Sequence, residues 1–97
     1  MDVDRKVVVV TGASQGLGEA FVQAYRERGW RAVGNSRSIK ASDDPDYITV
    51  PGDIGDPAVA RNVVATALER FGRVDTLINN AGTRVSAEAT PGKLAAE

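Results

Sequence analysis

Four short apolar runs alternate with two stretches of helical period along the chain. Val7-Val8-Val9-Val10 is a continuous β-branched run, which suits a strand buried on both faces, as in a parallel sheet. From Gln15 to Arg28, Leu17, Ala20, Phe21 and Ala24 recur at helical spacing with charges elsewhere, and Gly29 stands where a C′ residue would stop the helix. Further strands are predicted over Arg31–Ser36 and Tyr47–Val50. The polar connection between them, 37–46, is close to the minimum for a crossover between parallel strands and leaves no room for a long helix. Asp56-Pro57 reads as N-cap and first helical residue. Val59, Val63, Ala67 and Phe71 then share one helical face, with Val64 and Leu68 beside them, and Gly72 closes the helix. Val74–Ile78 supplies a fourth strand.

Strands alternating with helices imply an α/β domain, a doubly wound parallel sheet covered on both faces and joined by right-handed crossovers. Ligands in such sheets bind at the carboxyl ends of the strands. From Thr83 onward the sequence is small and polar and is broken by Pro91-Gly92. We expect residues 83–97 to be a weakly ordered tail, with an ending that resembles a vector-derived one, and residues 1–82 to carry the fold.

At 97 residues the chain has room for one domain. Its 42% apolar and 26% charged content is ordinary for a globular protein. Twelve Lys and Arg against thirteen Asp and Glu give a net charge of −1, which excludes a strongly basic nucleic-acid or membrane-surface binder. There is no cysteine, hence no disulfide, thiolate nucleophile or Cys-type zinc site, and no histidine, the commonest general base. The charged start Asp2–Lys6 has no signal-peptide character, and no apolar run approaches membrane-spanning length, so the expected location is cytoplasmic.

The most informative stretch is Thr11-Gly12-Ala13-Ser14-Gln15-Gly16-Leu17-Gly18, between a predicted strand and a predicted helix. Gly12 permits a sharp turn off the strand. Gly16 can bring backbone close to a phosphate at a helix N-terminus, where free N–H groups and the dipole favour an anion. Gly18 lets the helix pack closely on the sheet, and Ser14 can add a hydroxyl. The alternative is a glycine-rich turn without a ligand. The ATPase loop, which needs Gly-Lys before Ser or Thr, is absent, and the spacing is G-x-x-x-G-x-G rather than G-x-G-x-x-G.

Thr11–Gly18 resembles the T-G-x-x-x-G-x-G cofactor motif of the short-chain dehydrogenases/reductases. The resemblance continues at Asp53-Ile54 and at Asn79-Asn80-Ala81-Gly82, similar to that family's N-N-A-G motif, and covers roughly residues 6–82. It implies a Rossmann-type sheet in the order 3-2-1-4. Asp53 would bond the adenine amino group, and Ile54 would pack against the ring. On residue chemistry alone, Asp53 reads equally as a turn or cap residue. Asn79 would hold the sheet, while Asn80, Ala81 and Gly82 would line the adenosine ribose and phosphate. Leu17 and Gln15 belong to the same loop. The NNAG motif argues against a methyltransferase-like adenosyl binder, which would share the strand, glycine loop and helix.

Ser36-Arg37 bears on the cofactor. An acid at the end of the second strand would bond the ribose 2′-hydroxyl and favour NAD. Here a hydroxyl and a guanidinium suit a 2′-phosphate, so NADP(H) is expected, with NAD(H) possible. A solvated loop arginine is the alternative, and Gln15 stands where many NADP-preferring relatives have a basic residue. The family's Tyr-x-x-x-Lys pair is not matched: four residues after Tyr25 is Gly29, and four after Tyr47 is Pro51. No catalytic residue and no metal site are therefore assigned.

Two readings follow. The chain is the cofactor-binding portion of an oxidoreductase whose parent moves a hydride between NADP(H) and a carbonyl or alcohol, without turnover by itself. Alternatively, it is an inactive truncated module that binds nucleotide or only assembles. An open fourth strand would make it a homo-oligomer through that edge.

Overall fold

The computed structural model describes residues 4–81. Six elements follow in the order β1 (Val7–Thr11), α1 (Gly16–Glu27), β2 (Arg31–Ser36), β3 (Tyr47–Pro51), α2 (Pro57–Phe71) and β4 (Thr76–Asn79). All three strand pairings are parallel and the sheet order is β3-β2-β1-β4, the expected Rossmann-type arrangement. Register pairs Val9 with Val33 and with Leu77. Gly82 and the expected tail at 83–97 lie outside the described residues.

Strand alternation divides the apolar side chains between two cores. Val7, Val9, Val33 and Val50 meet Val63, Ala67 and Phe71 of α2 on one face. Val8, Val10 and Ala32 meet Val22 of α1 on the other. The continuous valine run is thus what a strand covered on both sides requires. Asp56 caps α2 by accepting the Ala58 N–H at 2.9 Å, and Gly72, at φ 83°, ends it in the left-handed conformation.

Two expectations are corrected. The face of α1 that meets the sheet is not Leu17-Ala20-Ala24: Leu17 is 60% exposed and both alanines are exposed, whereas Gly18 and Val22 are buried, with Phe21 and Tyr25 packed beside them. The cause is Gly18, which lies so close to the glycine loop that a Cβ there would collide with the Gly12 carbonyl. That contact fixes the helix rotation and turns positions 17, 20 and 24 outward. The fourth strand begins at Thr76 rather than Val74. Before it, the Asp75 carboxylate accepts the Val7 N–H at 2.9 Å, and the Asp75 N–H donates to the Val7 carbonyl at 2.9 Å. A side chain thus replaces one rung of the ladder. No helix among the described residues is long and apolar enough to cross a membrane.

Candidate functional site at the carboxyl ends of the strands

β1 delivers the chain to Gly12, whose φ of 64° lets it turn at once toward α1. Gln15, extended and exposed, occupies the N-cap without a side-chain cap bond. The first turn of α1 therefore offers its N–H groups with no capping oxygen. Gly16 has φ 58°, and a Cβ built there would have no atom within 4 Å. Bare backbone thus faces open space at the positive end of a helix.

The fourth strand is tied to this loop by polar contacts. The Thr11 hydroxyl donates to Asn79 Oδ1 at 3.0 Å and accepts the Ala81 N–H at 3.0 Å. Asn80 Nδ2 donates to the Gly12 carbonyl at 3.2 Å. The amides of the NNAG motif therefore work as scaffold here, and they place Asn80 and Ala81 against the glycine loop.

On the other side lies the end of β2. Ser36 Oγ is buried and has no hydrogen-bond partner among the described residues, and Arg37 beyond it is exposed. A buried hydroxyl without a partner is costly. Asn35, buried in the strand before it, donates from Nδ2 to the carbonyls of Val50 at 2.9 Å and Gly52 at 3.1 Å. This clamps the turn that presents Asp53. Asp53 Oδ1 accepts the Gly55 N–H at 2.9 Å, so the turn role foreseen for this residue is real. Oδ2 takes no partner among the described residues. Ile54 is half-buried against the α2-side core.

The sheet thus brings Gly12, Ser14, Gln15, Gly16, Leu17, Gly18, Ser36, Arg37, Asp53, Ile54, Asn80 and Ala81 to one edge, and Gly82 lies outside the described residues. Sequence reasoning assigned no site role to Thr11 or Asn35. A polar residue closing an otherwise apolar strand was the available signal for Thr11, and Asn35 had none. The arrangement offers donors and hydroxyls to an anion and no acid at the end of β2. The two tyrosines lie elsewhere. Tyr25 packs edge-on against Trp30 at 4.8 Å, and burial, then Glu19, raises the Tyr47 phenol above its ordinary range. Among the described residues no cluster of three or more His, Cys, Asp or Glu could hold a metal.

The family profile described as short chain dehydrogenase matches residues 6–95. The 11-beta-hydroxysteroid dehydrogenase A of Sesamum indicum is 42% identical over 91 residues, which cover 84% of this chain and 26% of that protein. The 3-oxoacyl-acyl-carrier-protein reductase FabG of Salmonella typhimurium is 35% identical over 88 residues, covering 84% of this chain and 36% of that protein. The solved L-sorbose reductase from Gluconobacter frateurii, complexed with NADPH and L-sorbose, superposes with a TM-score of 0.70 at 28% identity, over 92% of this chain and 39% of that one. The chain spans about a third of the length of the curated relatives it matches.

Proposed function

The chain belongs to the short chain dehydrogenase family, and from that premise we propose that residues 1–82 are the nucleotide-binding portion of an oxidoreductase that prefers NADP(H) to NAD(H). The observation that carries the preference is the buried, unpartnered Ser36 Oγ, with Arg37 next to it, at the position where an acid would serve NAD. Ser36 and Arg37 would hold the 2′-phosphate, and the bared backbone at Gly16 and the first turn of α1 would hold the pyrophosphate. Asp53 Oδ2 would accept the adenine amino group. Asn80, Ala81 and Gly82 would line the ribose. When bound, the dinucleotide supplies the hydride-carrying nicotinamide, and the whole protein would exchange that hydride with a carbonyl or alcohol. The related enzymes are named for a hydroxysteroid, an oxoacyl carrier protein and L-sorbose. The shared third of the sequence therefore fits a role in holding the cofactor rather than in choosing the substrate.

Calorimetry with NADPH and NADH tests this. The unaltered chain should bind NADPH more tightly, and Ser36→Asp should reverse the order by setting a carboxylate against the 2′-phosphate. Equal affinities that stay equal in the variant would remove the preference.

The same 97 residues carry an argument for self-association, the second reading in the sequence. Among the described residues β4 is the edge of the sheet, and its Leu77 is 60% exposed. Val64 and Leu68, 44% and 51% exposed, stand on the flank of α2 turned away from Val59, which packs against Gly52 beyond β3. An open strand edge is a template for a second strand, and a two-fold pairing of two β4 strands would cover it. Light scattering at micromolar concentration should give the mass of a dimer, and Leu77→Lys should return a monomer. A monomeric mass with a cooperative thermal transition would sink this reading.

A further inference from the structure

Near the carboxyl end of the sheet, one row of paired residues is polar across three strands. Asn79 of β4, Thr11 of β1 and Asn35 of β2 stand in register, with Val50 of β3 beyond them. Two residues earlier in the same strands, the row Leu77, Val9, Val33 and Ile48 is wholly apolar. Strand alternation puts both rows on the α2 face. An aliphatic side chain at position 35 would simply extend the core there. Instead an amide lies 1% exposed, a placement that costs free energy unless its polar atoms are met.

The groups that meet it belong to two separate parts of the site. Nδ2 has two protons, and it donates to the carbonyls of Val50 and Gly52, on either side of Pro51 where β3 ends. The main-chain carbonyl of Asn35 accepts the Ala13 N–H of the glycine loop at 3.0 Å. One buried residue thus holds both the turn after β3 and the loop after β1. The turn is confined further along. The Gly52 N–H donates to the Ser36 carbonyl at 3.1 Å, and a Cβ on Gly52 would collide with the Val59 side chain. Asp53 then spends Oδ1 on the Gly55 N–H and its carbonyl on the Asp56 N–H, both at 2.9 Å.

We propose that Asn35 is a positioning residue for base selectivity: it fixes the offset between the glycine loop and Asp53. A nucleotide whose phosphates rest on the first turn of α1 then meets Asp53 with the edge of its base. Asn35, buried beneath the turn, acts through Asp53 and the loop. The inference rests on the cofactor reading above, in which Asp53 Oδ2 accepts the adenine amino group. A base carrying an oxygen at that place would set it against the carboxylate. Rejection of that base requires a carboxylate that cannot move aside, which is preorganisation supplied from below. Without the amide, the Val50 and Gly52 carbonyls lose a donor, the turn is released, and either base is accommodated.

The test compares ADP with IDP, an amino group against an oxygen at C6 of the base, in calorimetric titrations of the 97-residue chain. The unaltered chain should prefer ADP roughly tenfold, as expected for one hydrogen bond to a charged group. Asn35→Val should weaken ADP alone and bring that ratio close to one. Asn35→Thr, which keeps a single donor, should give an intermediate ratio, and it decides the matter if the valine variant does not fold. Asp53→Ala should abolish the preference, and adding Asn35→Val to it should change the ratio no further. Asp46→Asn, which removes ion pairs at the opposite end of the sheet, should leave the ratio unchanged. Equal losses for both nucleotides in the Asn35 variants, or a preference that survives in them, would make Asn35 a residue of the fold alone and overturn the inference. So would a ratio that falls equally in Asp46→Asn. These results leave the cofactor reading intact. If the unaltered chain binds neither nucleotide, the cofactor reading fails and this inference with it.

Discussion

The two ends of the parallel sheet are built from the same four strands and finished in opposite ways. At the amino end, charges are met within the chain. Asp46 receives Arg5 at 2.9 Å and Arg31 at 3.2 Å, and Arg5 also donates to the Gly29 carbonyl. Asp75 holds Arg73 and the Val7 N–H, and the Lys6 ammonium lies 5.6 Å from the centre of the Trp30 ring. The hydrogen bond from Arg5, then that from Arg31, holds the Asp46 carboxyl below the usual carboxylate range, and Arg73 followed by the Val7 N–H does the same for Asp75. At the carboxyl end, Ser36 Oγ is buried without a partner, Gly16 bares its backbone, and Asp53 uses one oxygen. An unsatisfied buried hydroxyl costs stability, so the fold closes its amino end and leaves the carboxyl end with incomplete groups, which is the contrast the proposed nucleotide site rests on.

That contrast breaks most visibly at Gly18. A Cβ there meets Asn80 Nδ2 and the Gly12 carbonyl, and the carbonyl is backbone that cannot yield without moving the loop. Gly18→Ala should cost on the order of 3 kcal/mol in urea unfolding and abolish nucleotide binding. Gly16→Ala has open space around the new methyl and suffers only the positive φ. It should cost about 1 kcal/mol and reduce nucleotide affinity far more than stability. Similar midpoints for the two variants would show that the loop is not held by that contact.

The next effect is at Thr11. Thr11→Val keeps the shape but strands the Ala81 N–H and Asn79 Oδ1, which the hydroxyl bridges. The expected loss is about 1–3 kcal/mol, with a drop in nucleotide affinity, because β4 would no longer be tied to the glycine loop. Thr11→Ser should restore most of both. If the valine variant is as stable as the parent, the bridge is not what joins β4 to the site.

Most of the fold was legible in the sequence, because valines at 7–10, Gly29, Asp56-Pro57 and Gly72 each report a local rule that the tertiary structure obeys. The rotation of α1 was not legible. Leu17, Ala20 and Ala24 have helical spacing, but the burial of Gly18 is set by a backbone contact with Gly12, and periodicity carries no record of a glycine packing face. The start of β4 was missed for a similar reason: Asp75 substitutes a carboxylate for a strand rung, which reads as a polar break in a β pattern. At the site, the glycine loop was visible from its spacing and flanks. The clamp from Asn35 was not, since a lone buried amide has no pattern.

The smallest effect sharpens the comparison from the closed end. Asp46 has a folded pKa below its usual value of 3.8, so the unfolded chain binds its proton first as pH falls. Its contribution is fully present above about pH 4 and is lost as pH drops through the lowered folded value. Its side chain is 29% exposed and the pairs lie near the surface, so Asp46→Asn should cost about 1 kcal/mol at neutral pH. The variant should also show a shallower loss of stability in acid, since one of the carboxylates responsible is gone, while Asp44 and Asp75, both lowered as well, keep part of the slope. Nucleotide affinity should not change, because the length of β1 separates Arg5 and Asp46 from the glycine loop. Measured side by side, Asp46→Asn should therefore move the urea midpoint without moving binding, and Ser36→Ala should weaken NADPH binding while leaving the midpoint unchanged or raised, since it removes a buried hydroxyl that has no partner. Nucleotide affinity that falls in Asp46→Asn in step with stability would show that the two ends are coupled through the strands, and the division between a closed and an open end would no longer hold.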